Sequence, residues 1–214
     1  MPALLISVRF HDGRYHGAGN WPPEPARLFQ ALVAAAPKDK NAIEKTSRCA
    51  LAWLEKLAAP AIAAPAKHEG QQVSLFVPNN DLDAKGGDIR RVAEVRSATK
   101  HIRPQMFDAS IPLLYVWHFD GDDTHVTRIC KIADDLYQLG RGVDMAWAPT
   151  EVLENEADVE NRLADYPGVI YQPSTGGQGT ALDCPEAGSL ESLEMRHKEG
   201  AHRFRRVDEG KSVR

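Results

Sequence analysis

Leu4-Leu5-Ile6-Ser7-Val8-Arg9-Phe10, followed by His11-Asp12-Gly13-Arg14-Tyr15-His16-Gly17-Ala18-Gly19-Asn20 and then Trp21-Pro22-Pro23-Glu24-Pro25, is the stretch whose reading decides the fold. The first run alternates. Leu4, Ile6, Val8 and Phe10 share one face, and Leu5, Ser7, Arg9 and His11 share the other, the period of a half-buried strand. The glycine-bearing run is a loop, and the prolines open a helix expected over Ala26 to Ala36, since proline at a first helical turn forfeits an N–H that would have had no partner. A loop of this composition at a helix N-terminus brings backbone amides and cations to a place suited to a phosphate.

Working outward, a second helix is expected with Ile43, Ser47, Ala50, Leu51, Leu54, Leu57 and Ala58 on one stripe, ended by Pro60 and Pro65, with Trp53 off that stripe. Val73 to Val77 reads as a short strand stopped by Pro78. Asp81 to Pro112 resists a compact reading, and a loop that long inside a domain is usually functional or disordered. Leu113 to Phe119 is a strand. The helix after it carries Val126, Ile129, Cys130, Ala133, Leu136 and Tyr137 on one face and stops at Gly140. Val143 to Leu153 holds the last strand, with Pro149 at an edge, a bulge or the strand's end.

This order predicts an α+β fold: a ferredoxin-like or RRM-like βαββαβ domain over residues 1–155, with a long basic arm at 79–112 between its second and third strands. Its helices would cover one sheet face and leave the other free for a ligand. From about Glu154 periodicity fades, so 156–214 is expected to be an irregular extension, with a short helix over Leu190 to Lys198.

The net charge of −4 argues against a generic nucleic-acid binder, but its distribution is uneven. Lys85 to Arg103 holds six Lys/Arg against two acids, Arg196 to Arg214 seven against three, and Asp120 to Asp165 twelve acids against four bases. A weakly acidic chain with basic stretches fits a subunit that grips RNA locally and meets proteins elsewhere. The bland alternative is that such runs are solvated faces. No run approaches the ~20 apolar residues that span a bilayer, so no membrane partner is expected. The start Met1-Pro2-Ala3 lacks a basic n-region, and Cys49, Cys130 and Cys184 are odd in number and far apart. Together these predict a reducing, cytoplasmic setting with neither a disulfide framework nor a zinc site.

The block Arg14-Tyr15-His16, then Trp21-Pro22-Pro23-x-Pro25-x-Arg27-Leu28-Phe29-x-Ala31-Leu32-Val33-Ala34, directly after an N-terminal strand, resembles the start of CRISPR-associated RAMP-superfamily proteins. It is similar, more narrowly, to the subtype I-U (I-G) subunit that fuses a guide-RNA 5′-handle-binding domain to a guide-processing endonuclease domain. About 25 residues match closely, and the rest agrees in layout. The resemblance implies that the chain binds the 5′ handle of CRISPR RNA and caps a type I Cascade-like complex. Its partners would be the backbone and large subunits and, indirectly, target DNA, and a second RAMP domain would begin near Arg214. It also implies that the arm acts as a thumb-like hairpin gripping the guide.

The RNA-binding candidates are Arg9, Arg14, Tyr15, His16, Arg27, Arg90, Arg91, Arg96, Lys100, Arg103 and Arg141. Arginine and lysine meet phosphates, and Tyr or His can stack on unpaired bases. Gly140-Arg141-Gly142 would let backbone approach RNA closely, although such triplets are commonly plain helix stops. No catalytic residue, metal or cofactor is expected for the handle-binding reading. One alternative is metal-independent cleavage of precursor RNA by Tyr15, His16 and His11, since His is the usual acid or base near neutral pH. Another is a protein-interaction module that touches no RNA.

Overall fold

The computed structural model describes residues 1–17, 20–39, 42–76, 99–121, 124–174 and 179–202. They fall into two compact units: Met1–Glu69 with Pro104–Leu190, and Gly70–Arg103 with Glu191–Arg214.

The first unit is built on β1 (Ala3–Phe10), which pairs antiparallel with β10 (Leu113–His118) on one side and with β11 (Ala146–Trp147) and β12 (Thr150–Leu153) on the other. Beyond β10 lie β5 (Ala61–Pro65) and then β13 (Gly168–Tyr171), again antiparallel. Strands β1, β5, β10 and β12, taken as first to fourth, therefore lie in the order fourth, first, third, second. That is an antiparallel α+β arrangement of the ferredoxin-like type. The crossovers are helical: α1 (Pro25–Ala35) and α2 (Lys45–Leu54) join β1 to β5, and α3 (Thr124–Asp134) joins β10 to β12.

One sheet face carries Leu4, Ile6, Val8 and Phe10 toward these helices. Their apolar stripes supply Leu28, Phe29 and Leu32 from α1, Ala50, Leu51 and Leu54 from α2, and Val126, Ile129 and Ala133 from α3. Burial of one such leucine or isoleucine stabilises by roughly 1.5–3 kcal/mol. Tyr115 is buried on this face, and its hydroxyl donates to the Pro23 carbonyl at 2.6 Å, fixing the proline run over the sheet. Trp53 packs edge-on to Phe119 and flat on His125.

Four expectations are corrected. The second strand of the sheet is β5, not Val73–Val77. Its run Ala61-Ile62-Ala63-Ala64 shows no alternation because it is buried on both faces, and the flanking prolines had made it look like a helix stop. Residues after 154 are not irregular throughout: α4 (Glu156–Ala164) starts at Asn155, whose side chain accepts the Asp158 N–H at 3.1 Å, and β13 extends the sheet. The second sheet face is not free along its whole length, because Val159, Leu163 and Tyr166 cover Ala3, Leu5, Ala61, Ala63, Leu114, Val116 and Leu153. Lastly, Tyr137 lies beyond α3 and is exposed.

The described residues between β5 and β10 include further strands. β6 (Lys67–Glu69) and β2 (Arg14–Tyr15) flank β9 (Gln105–Phe107) in a small sheet of the first unit. In the second unit β7 (Val73–Phe76) pairs with β8 (Thr99–Ile102), and Ser74 Oγ meets His101 Nδ1 at 3.0 Å. Helix α5 (Ser189–His202) begins where Glu55 accepts the N–H groups of Gly188 and Leu190 at 3.2 and 2.7 Å, a carboxylate at a helix N-terminus. The short hairpin β3 (Lys38–Asp39) and β4 (Ala42–Ile43) links α1 to α2.

Candidate nucleic-acid interface

After β1 the chain turns through His11-Asp12-Gly13 into β2, and the Phe107 N–H donates to the Gly13 carbonyl at 2.9 Å. This pairing drives Tyr15 inward. Its ring lies 5.8 Å from Phe10 and 6.1 Å from Trp21, and Phe107 packs on both of those rings. Tyr15 is only 2% exposed, so it does not offer a stacking face to a ligand, contrary to the expectation for a loop tyrosine. Burial pushes its hydroxyl up to about 12. Arg27 and Arg141 pull it down, and Asp144 and Glu24 add to the rise.

Two glycines make room for that ring. A Cβ at Gly17 would sit 2.0 Å from the Tyr15 hydroxyl oxygen. Gly140 has φ +118°, and its Cβ would lie 2.5 Å from Asp144 Oδ2 and 2.7 Å from Tyr15 Cε2. Gly140-Arg141-Gly142 is thus a turn that closes over the tyrosine.

The residue that ties the two loops together is Asp144, 1% exposed. Its Oδ1 accepts the His16 backbone N–H at 2.9 Å and faces His16 Nδ1 at 2.8 Å, and its Oδ2 accepts the Arg141 N–H at 2.7 Å. A carboxylate has only acceptors, so His16 Nδ1 is the donor of its pair. The Asp144 N–H donates back to the Arg141 carbonyl at 2.8 Å. One buried carboxylate therefore holds His16 and Arg141, residues 125 positions apart in the chain (141 − 16), at a single point.

Arg27 extends this cluster. It lines a groove of about 170 Å³ with Gln30, Ala31, Tyr137, Gln138 and Gly140, and its guanidinium donates to Gln30 Oε1 at 2.9 Å. Arg14 is exposed and paired with Asp12 at 2.7 Å, a surface bond weak enough to be exchanged for a phosphate. The α1 N-terminus itself is not open to an anion as the sequence suggested. The Ala26 N–H donates to the Asp183 carbonyl at 2.9 Å, and Asn20 Nδ2 holds the Ala181 carbonyl at 2.9 Å.

The remaining candidates lie elsewhere. His11 is exposed and packs edge-on to Trp147 at 5.0 Å. Arg9 donates to the Ser110 carbonyl at 3.3 Å on the second sheet face. Of the three residues of the cleavage alternative, Tyr15 is buried, His16 is bonded to Asp144 and His11 packs on Trp147. Lys100 and Arg103 belong to the second unit, and Arg90, Arg91 and Arg96 fall outside the described residues. Among the described residues no group of three His, Cys, Asp or Glu could hold a metal ion, and no helix is long and apolar enough to cross a membrane. Sequence reading missed Asp144 and Trp147. The Asp two positions after Gly-Arg-Gly was a cue to a local turn bond, but nothing local could announce its bond to His16.

Residues 3–208 match the CRISPR-associated GSU0054 protein family. The chain belongs to that family. A role in CRISPR–Cas defence follows from this membership. No curated protein matches the chain. Among solved structures, a CRISPR protein from Archaeoglobus fulgidus is similar at 15% identity and a TM-score of 0.38, over 72% of this chain and 65% of that one. The chain thus spans less than two thirds of that protein's length, and a likeness at this level carries no argument about mechanism.

Proposed function

We propose that this GSU0054-family protein is the subunit of a type I effector assembly, of subtype I-U (I-G), that holds the 5′ handle of the CRISPR RNA. The observation that carries the reading is the Asp144 junction. It fixes the loop bearing Arg14 and His16 against the loop bearing Arg141, beside Arg27. The Arg141 loop is held through its backbone N–H rather than through its guanidinium, Arg14 has only an exposed bond to Asp12 to exchange, and pre-fixed loops lose little entropy on binding.

In this reading the strand order is RRM-like, but the sheet face is not the platform. Tyr115 and Trp117 are buried, and Leu114 and Val116 lie beneath α4. The handle would lie across the loops at the ends of β1 and β11, its phosphates met by Arg14, Arg27 and Arg141. The basic stretch with Arg90, Arg91, Arg96, Lys100 and Arg103 would grip the guide further along. Backbone and large subunits are the expected protein neighbours, and target DNA is reached only through the guide.

The test is a titration of the full chain with repeat-derived handle RNA at several salt concentrations. Affinity should fall with salt with a log–log slope of several, and Arg14→Ala and Arg141→Ala should each lower that slope by about one. Absence of binding, alone and in the assembled complex, would reject the reading in favour of a protein-interaction module. A defined metal-free cut that His16→Ala abolishes would favour RNA processing instead, with the imidazole oriented by Asp144.

A further inference from the structure

Strand β11 and its approach run against the usual alternation. The small residues point inward, with Ala146 and Ala148 buried, while the large ones point out: Val143 is 62%, Met145 41% and Trp147 43% exposed. A strand that buries alanine and exposes tryptophan has its outward side shaped by something other than core packing.

The surroundings of Trp147 indicate what that is. Its cross-strand partner is Arg9, and such partners share a sheet face. His11, two residues further on and just past the end of β1, packs its ring on the tryptophan at 5.0 Å. These three occupy the end of the second sheet face that α4 leaves uncovered. Arg9 also borders a cleft of about 380 Å³, floored by Leu114 and walled by Asn161, Arg162, Asp165 and Tyr166. That volume lies within the range of small-molecule sites. The Tyr166 hydroxyl is committed to the Pro112 carbonyl at 2.7 Å, which holds that wall in place.

We propose that Trp147 is the stacking site for one unpaired base of the bound RNA, with His11 bracing the indole and Arg9 meeting the adjoining phosphate. A flat π surface beside a cation and a polar cleft matches a nucleotide, which presents a ring and a charge together. An apolar protein surface would leave Arg9 without a partner of opposite charge. The inference rests on the handle-binding reading and names a contact that reading does not contain, since the Asp144 loops supply phosphate contacts only.

The experiment uses the full chain and handle RNA carrying 2-aminopurine at one position at a time, because stacking quenches its fluorescence. Expected are quenching at one position with the wild type, recovery of fluorescence there in Trp147→Ala, and a loss of affinity of about five- to one-hundred-fold. Trp147→Phe should retain most of the affinity, and Trp147→Leu, which stays apolar and removes only the ring, should lose affinity as the alanine variant does and replaces it in the test should alanine disturb folding. Arg9→Ala should lower the salt slope by about one. If Trp147→Leu binds like the wild type while Arg141→Ala binds less tightly, the stacking site is refuted and the handle-binding reading survives. If the wild type does not bind the RNA, both fall.

Discussion

Replacement of Asp144 is the sharpest probe of the cluster, because the residue is nearly inaccessible and its partners are enumerated. Asp144→Ala removes the acceptor for two backbone N–H groups, those of His16 and Arg141, and for the His16 ring. A buried donor left unpaired costs roughly 1–3 kcal/mol. These sites are only partly buried, so water can reach them in part, and about 1–1.5 kcal/mol for each N–H gives a total near 2–3 kcal/mol. For a chain of this length that is about 4–12 °C in the unfolding midpoint. Asp144→Asn keeps one acceptor but sets an amide N–H₂ against the second donor, so it should fall between the wild type and alanine. Urea and thermal unfolding would give the order, and amide hydrogen exchange would show His16 and Arg141 losing protection ahead of the β1 and β10 amides. An Asp144→Ala midpoint within about 0.5 kcal/mol of wild type, with His16 and Arg141 exchange unchanged, would refute the claim that this carboxylate joins the loops.

Two further predictions follow from the same packing. The Tyr15 hydroxyl is raised from 10.0 to about 12 by burial, so the unfolded chain loses that proton first as pH rises. The stabilisation is complete below pH 10, is lost progressively toward pH 12 and amounts to something on the order of 2–3 kcal/mol; Tyr15→Phe should flatten that part of the alkaline unfolding curve, while Tyr115 and Tyr166, also raised by burial, keep a residual slope. Gly140→Ala forces a side chain into a left-handed backbone and against Asp144 and Tyr15, and should destabilise by about 2–3 kcal/mol, whereas Gly142→Ala, with nothing within 4 Å, should change stability by less than about 0.5 kcal/mol; equal midpoints for the two variants in urea would contradict the seating of the tyrosine ring.

What the sequence disclosed was the local and the periodic. β1, β10, α1 and the core of α3 follow from alternation or helical spacing within one segment, and each stands within a few residues of where the pattern places it. β5 was hidden because a strand covered on both sides has no alternation to read, and its alanines carry little strand preference. α4 was hidden because it buries only Val159 and Leu163, too few to make a stripe in a nine-residue helix. The Asp144 junction was hidden for another reason. Its cue is the meeting of residue 144 with residue 16, a separation of 128 positions that no window of sequence covers. Tyr15 was misjudged because a tyrosine among glycines and basic residues looks exposed, whereas pairing of β2 with the distant β9 turns it inward between Phe10 and Trp21, with Phe107 packed behind both rings.

The outer side of β1 connects these results. Its residues run Ala3, Leu5, Ser7, Arg9, with His11 just beyond the strand, apolar at one end and polar at the other. α4 covers the apolar end, Ser7 is still buried, and accessibility begins at Arg9, so the sequence gradient runs from the covered to the accessible end. A sheet of this topology offers a ligand its open face or its loops. Here the middle of the face is sealed by aliphatic residues under α4, and the Arg9, His11 and Trp147 end is one part left accessible. That end is close along the chain to Arg14 and His16, because His11-Asp12-Gly13 leads from β1 into β2, which carries Arg14 and is followed by His16. Phosphate contacts at the Asp144 loops and a base on Trp147 are therefore compatible with a single strand of RNA following that turn. Moving the boundary would test the coupling: Arg9→Leu, at the half-buried position next to buried Ser7, extends the apolar end and should weaken RNA binding only if the strand crosses this edge.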